Sequence, residues 1–177
     1  EPQLQELITA HRDRLRATNY IATAVEQSEL SFVIVPTPSD ETGTFSIEHA
    51  RAACADIGRA LARKSTRHHV ALSSTVLPGS SRHGIIPAIE RASGKRCGRD
   101  FNFSYCPEFI ALGSVIRDFL HPDFTLVGEF DSAGGTEMEE FYHELLPEPK
   151  PCRRMSLENA ELAKIALNAY FTTKITV

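Results

Sequence analysis

The sequence predicts an α/β fold, a doubly wound parallel sheet, and three observations carry that prediction. Four short runs, at residues 30–35, from residue 70, at 102–105 and at 124–128, read as strands, the first β-branched and aromatic and the second an apolar run of the length of a buried strand. Between them lie helical patterns, such as Ile47, Ala50, Cys54, Ile57 and Leu61, with apolar residues at three- and four-residue steps. Proline and glycine follow the strands directly, at Pro36-Thr37-Pro38 and at Pro78-Gly79. Strands alternating with helices of this length argue for βαβ units.

Each element follows in order. Pro2 suits a first helical turn, and Leu4, Leu7, Ile8 and Leu15 give that segment an apolar stripe. A second short helical stretch over 22–29 leads into the strand at 30–35. Residues 39–44 form a polar loop, and Ser46 can cap the next helix. The run Val70-Ala-Leu-Ser-Ser-Thr75 is the central strand. It ends in hydroxyls, where open α/β sheets place their ligands, although Ser80 as a plain helix cap competes with that view. Ile85, Ile86, Ile89 and Ala92 make one face of a helix ended near Gly94. The strand at 102–105 runs into Cys106-Pro107-Glu108-Phe109, then a loop or broken helix through Asp118. Gly128 closes the strand at 124–128, an acidic amphipathic helix covers 138–146, and three prolines stiffen a turn at 147–151. Ser156 begins a last helix, apolar on nearly every side (Leu157, Leu162, Ile165, Leu167, Tyr170, Phe171), which is expected to be buried by something else, much of it beyond Val177.

The totals narrow the function. With 177 residues the chain can bury a core of ordinary domain size. A net charge of −4 leaves no footprint for nucleic acid or an anionic membrane. No apolar stretch approaches a membrane span, and the first residues are not a signal peptide. Cys54, Cys97, Cys106 and Cys152 have neither CxxC nor regular spacing, which fits a reducing cytoplasm and no zinc site. The seven histidines have no ligand spacing, and His68-His69 reads as a strand entrance; no metal is called for. A dinucleotide-binding sheet ordinarily opens with a strand, GxGxxG and a helix, yet GxGxxG occurs nowhere here. Chain ends without an initial methionine or a helix stop suggest a piece of a longer protein, with the first βαβ unit missing.

Four local patterns stand in order: Val35-Pro36-Thr37-Pro38, Ser74-Thr75-Val76-x-Pro78-Gly79, Pro107-Glu108-Phe109, and Ala160-Glu161-x-x-Lys164-x-x-x-Asn168. Each is weak alone. Together they resemble the UDP-glucose/GDP-mannose dehydrogenase family, from Glu1-Pro2-x-Leu4 to Lys174-Ile175, and they cover the middle of a family member. The resemblance implies a Rossmann-like fold over 1–153. From 154 it implies the start of a long helix leading to a substrate and dimerisation region. It also implies oxidation of the primary alcohol of a nucleotide sugar to an acid with two NAD, through a thioester on a cysteine. Neither the Gly-rich loop nor that cysteine lies in these residues, so no turnover is expected of the chain alone.

On this resemblance Val35, Pro36, Thr37, Pro38 and Ser39, with Ser74, Thr75 and Val76, line the cofactor. Thr75 also helps to hold the water that cleaves the thioester. Glu108 corresponds to the general base, and burial beside Phe109 and Ile110 would raise its pKa toward a useful range. Glu108 to Leu112 (with Phe109, Ile110 and Ala111 between) line the sugar. Lys164 and Asn168, four apart, project from one helix face toward the reacting oxygen, the ammonium steadying a developing alkoxide. A solvated stripe in which Glu161 pairs locally with Lys164 is the structural alternative. Many family members carry an acid at the position of Leu112, so the sugar is open, with UDP-glucose the preferred reading. Two rivals stand beside it. A β-hydroxyacid-type NAD dehydrogenase shares the Lys-Asn spacing but has no use for Glu108, and a non-enzymatic α/β remnant would serve as an interaction module. An exposed sheet edge predicts self-association, as a homodimer or larger assembly.

Overall fold

The computed structural model describes residues 1–39, 41, 44–148 and 150–176, the side chains of 175 and 176 excepted. Asp40, Thr42 and Gly43 of the expected polar loop and Pro149 of the proline-rich turn lie outside the described residues. The four expected strand runs form β1 (Leu30–Val33), β2 (His69–Leu72), β3 (Asn102–Tyr105) and β4 (Thr125–Glu129). A fifth strand, β5 (Cys152–Ser156), completes one sheet in the order β1-β2-β3-β4-β5. Helices α1 (Leu4–Ala10), α2 (Ile21–Glu26), α3 (Glu48–Leu61), α4 (Ile86–Ser93), α5 (Val115–Leu120), α6 (Ser132–Leu145) and α7 (Leu157–Thr176) surround it.

Alternation along the strands explains why both faces are covered, since successive side chains point to opposite sides. On one face Val70, Leu72, Phe103 and Tyr105 pack with Cys54, Ile57 and Leu61 of α3, Ile89 of α4 and Leu157 of α7. On the other, Ala71 and Val127 meet Met138 and Tyr142 of α6. The expected α/β class holds, Rossmann-like and mostly parallel.

One junction departs from the parallel expectation. β1, β2 and β3 run parallel, as do β4 and β5, but β3 and β4 are antiparallel. The stretch between β3 and β4 holds only the six-residue α5, too little for a crossover helix, so the chain returns beside the strand it left. Composition also hides β5, whose Cys-Arg-Arg-Met-Ser reads as polar linker. It is an edge strand among the described residues, where charge discourages further pairing. α7 therefore begins at Leu157, after a strand, and the expected boundary between 153 and 154 falls inside β5.

Three smaller expectations change. Gly128 lies within β4 and does not end it; a Cβ there would stand 2.7 Å from the Ala160 Cβ, so its bareness lets α7 lie close on the sheet. α6 starts at Ser132, because Asp131 caps it with a 2.9 Å bond from the Gly134 N–H to its carboxylate. The stripe of Leu4, Leu7, Ile8 and Leu15 faces solvent, and Leu15 lies past the end of α1. α7 is likewise exposed at Leu162 and, in its second half, at Tyr170 and Phe171. No helix among the described residues is long and apolar enough to cross a membrane.

Candidate active site

Two loops at the carboxyl ends of β1 and β2 meet first. β1 and β2 pair in register from Leu30–His69 to Val33–Leu72, so the residues beyond them emerge side by side. The Ser74 hydroxyl accepts from the Val35 N–H and donates to the Val35 carbonyl, both at 2.8 Å. Ser74 is buried, so this bond stitches the expected cofactor loops together and occupies its hydroxyl. Thr75 is half-buried and Val76 fully buried. Pro36, Pro38 and Ser39 are exposed, with Thr37 half-buried between them. A narrow ledge results, formed by 35–39 and 74–76, with Thr75 as a hydroxyl not committed to the Val35 backbone.

The second cluster gathers where β3 ends. Pro107 is buried, Glu108 and Phe109 are half-buried, and the Phe109 ring packs against Phe124, tilted, with 5.3 Å between ring centres. From α7 the Lys164 ammonium donates to the main-chain oxygen of Glu108 at 2.6 Å and lies 4.7 Å from the centre of the Phe109 ring. Burial pushes the Glu108 carboxyl up to about 7, with Lys164 pulling it back. Burial lowers the Lys164 ammonium, and Glu108 opposes that shift. A carboxyl near neutrality beside an ammonium can take up and release a proton at physiological pH. A cavity of about 20 Å³ adjoins Glu108, lined among others by Asp118, Phe119 and Tyr142.

Of the expected site residues, Glu108, Phe109 and Lys164 are brought together. Ile110 and Ala111 are exposed and Leu112 almost wholly so, at 99 %, in a loop closed by Asp118, which accepts from Ala111 N–H and Ser114 Oγ. Asn168 is exposed one turn beyond Lys164. No direct contact joins Thr75 to Glu108 among the hydrogen bonds of the described residues; their loops are linked through Glu161 and Lys164 of α7. Glu161 does not pair with Lys164. Its carboxylate accepts from the Gly79 N–H at 2.6 Å and the Ser81 N–H at 2.8 Å. Ser80 makes no side-chain cap bond, so Glu161 replaces it as the cap. The sequence signal for Glu161 is an acid on a helix apolar on nearly every side; once buried, as it is here, such a group needs strong donors, though the sequence does not say which.

Other reactive groups are closed off. His69 Nδ1 lies 3.0 Å from Glu137 Oε2, and its Nε2 lies 3.0 Å from Ser104 Oγ, the order of a nucleophilic triad. Ser104 and His69 are buried, so the chain of bonds fastens α6 to β2 and β3 and gives a substrate no access. Burial pushes the Cys54 and Cys97 thiols up to about 12 and Cys106 higher still, so none of these three is a ready thiolate. Among the described residues no three His, Cys, Asp or Glu side chains form a metal-binding group.

Residues 1–146 match the model of the UDP-glucose/GDP-mannose dehydrogenase family, NAD binding domain. The chain belongs to the UDP-glucose/GDP-mannose dehydrogenase family. It is similar to the GDP-mannose 6-dehydrogenase of Pseudomonas aeruginosa, with 38% identity over 99% of this chain and 40% of that protein. It is also similar to the UDP-glucose 6-dehydrogenase AglM of Haloferax volcanii, with 33% identity over 100% of this chain and 42% of that one. Among solved structures, a ternary complex of the Pseudomonas aeruginosa GDP-mannose dehydrogenase superposes with a TM-score of 0.93 at 37% identity, covering 99% of this chain and 40% of that one. A UDP-glucose dehydrogenase from Pyrobaculum islandicum gives 0.86 at 28% identity, over 96% and 38% respectively. The chain thus spans about two fifths of the length of these relatives. Family membership makes NAD the cofactor. The geometry fits it, because two adjacent strand ends offer a ledge of main chain with a hydroxyl in it.

Proposed function

We propose that this chain is the cofactor-side part of an oxidoreductase that converts the primary alcohol of a nucleotide sugar to the acid, using two NAD. The observation that carries the reading is Lys164 seated on the Glu108 carbonyl, with the Glu108 carboxyl raised to about 7. NAD supplies the hydride acceptor. Val35 to Ser39 and Thr75 with Val76 are the residues that would hold it, Ser74 fixing their spacing. Lys164 offers positive charge to a developing alkoxide, and Asn168, one turn on, offers an amide beside it. Glu108 takes the proton from the water that releases the acid, and Thr75 orients that water. Phe109 and the 110–112 loop border the sugar.

Both GDP-mannose and UDP-glucose are candidate substrates. The named relatives in the 36–38% range are GDP-mannose 6-dehydrogenases, above the 33% of the UDP-glucose enzyme, which favours GDP-mannose over the sugar preferred from sequence. The chain alone has no GxGxxG and no low-pKa thiol among Cys54, Cys97 and Cys106, so we expect it to bind ligand without turning over. A chimaera tests the reading: these residues replace the aligned segment of the Pseudomonas aeruginosa enzyme, and NADH formation is followed with each nucleotide sugar. Activity that Lys164→Ala abolishes supports the reading. A folded chimaera inactive with both sugars, or active without Lys164, overturns it.

The residues through β5 would then form the NAD half, and α7 from Leu157 the helix leading to the substrate region, in a cytoplasmic protein that self-associates. β1 is an edge strand among the described residues, with Ile34 just beyond it 73 % exposed, which supports association. Sedimentation showing a monomer at high concentration would remove that part.

A further inference from the structure

We propose that Glu161 is a positioning residue, which holds the loop after β2 against α7 and thereby sets Lys164 upon Glu108. The inference rests on the reading of Lys164 and Glu108 as the reacting pair.

Glu161 is completely buried, and a buried carboxylate is costly unless strong donors meet it. Each of its oxygens receives one main-chain N–H, from Gly79 and from Ser81. Gly79 has φ +88°, a left-handed turn that suits glycine and helps to aim its N–H inward. Ser81 opens a π-helical turn, Ser81–Ile85, that continues into α4, so the carboxylate also sits at the positive end of that helix. The position where such sheets can receive an anion is therefore filled by the protein itself. Burial raises the Glu161 carboxyl and the two N–H donors pull it down.

Position along α7 turns this cap into a device for alignment. Glu161 and Lys164 are three residues apart, so they lie about 4.5 Å apart along the axis and neighbour each other around it. One faces the loop after β2, which carries Thr75; the other faces the residues after β3, which carry Glu108. A single turn of α7 thus joins both strand-end loops. Ala160, beside Glu161, packs over Gly128 and fixes the depth of that turn. A rotation of α7 that breaks the Glu161 bonds also draws Lys164 off Glu108. Glu158 pairs with Arg82 one turn earlier, but both side chains are about a third exposed, so that pair supplies little hold.

The test uses the 177-residue chain and the titration of the Glu108 carboxyl, read by carbon NMR and assigned with Glu108→Gln. The titratable groups facing Glu108 are Lys164 from α7, Asp118 from α5, Tyr142 from α6 and neighbouring Cys106. Lys164→Met is the reference and should move the midpoint upward by about half a pH unit or more, because it removes the opposing charge. Glu161→Gln should move it in the same direction in a folded chain, and Glu158→Gln should leave it in place. Glu161→Asp, which keeps the charge but shortens the reach, serves if the amide variant does not fold, and should give a smaller shift of the same sign. A midpoint unmoved by folded Glu161→Gln or Glu161→Asp, while Lys164→Met shifts it, overturns the positioning role and leaves the pair standing. A midpoint unmoved by Lys164→Met removes the pair itself, and the inference with it.

Discussion

Lys164 reaches from the middle of α7 to the main-chain oxygen of Glu108, 56 positions earlier in the chain, at 2.6 Å. Holding the carbonyl leaves the Glu108 carboxyl free to titrate beside the ammonium. The two shifts oppose each other within the pair, burial driving both groups toward neutrality and each charge favouring the other.

That carboxyl has a defined consequence for stability. Its folded value, about 7, lies above its ordinary 4.5, so the native state binds the proton more tightly than the unfolded chain across that window. Stability from this group is full below the window and is lost as pH rises through it. Glu108→Gln should therefore match the parent near pH 4 and exceed it above pH 7, by up to about 3 kcal/mol. Urea unfolding measured across this range checks the sign.

His68 has the opposite sign. Burial, with Lys64 beside it, lowers its imidazole to about 4, and it stays neutral between the Ser28 carbonyl at 3.1 Å and Ser31 Oγ at 2.9 Å. The unfolded chain takes up the proton first, so stability is lost as pH falls from about 6.5 to about 4. His68→Gln should flatten the acid limb of the stability profile, at a cost of about 1–2 kcal/mol at neutral pH for the lost bonds.

Gly128→Ala should cost about 1–3 kcal/mol, because the new methyl meets Ala160 at 2.7 Å and Tyr105 Cβ at 3.2 Å. The same methyl lifts α7. A fall in melting temperature accompanied by a changed Glu108 titration is the expected result, and the first without the second would separate packing from alignment.

Ser74 and Thr75 should part company. Ser74→Ala strands both the N–H and the carbonyl of Val35 and should cost about 1–3 kcal/mol in unfolding, with weaker NAD binding by calorimetry. Thr75→Ala, at a half-buried position outside that bridge, should stay within about 0.5 kcal/mol of the parent while losing activity in the chimaera.

Much of the fold was legible because four strands announce themselves through period and composition. β3 was read to its observed bounds, and the apolar steps of α3 are its buried face. β5 was not legible, since its pairing with β4 rests on main-chain bonds that Cys-Arg-Arg-Met-Ser does not advertise. Lys164 and Glu108 could be singled out by residue type and motif. The partner of Glu161 could not, because the main-chain N–H of Gly79 is more than 80 positions away and carries no side-chain signature. A local ion pair is the natural guess at three residues' separation, and tertiary donors outcompeted it.

The reversal between β3 and β4 decides where the last helix can deliver its side chains. Had all five strands pointed the same way, a helix leaving β5 would start level with Glu108 and travel off toward the opposite rim. Because β5 descends, α7 climbs, and Lys164 arrives beside the outlet of β3 about two turns into its ascent. A change of strand polarity thus brings the last helix of this chain back to the loop that leaves its third strand.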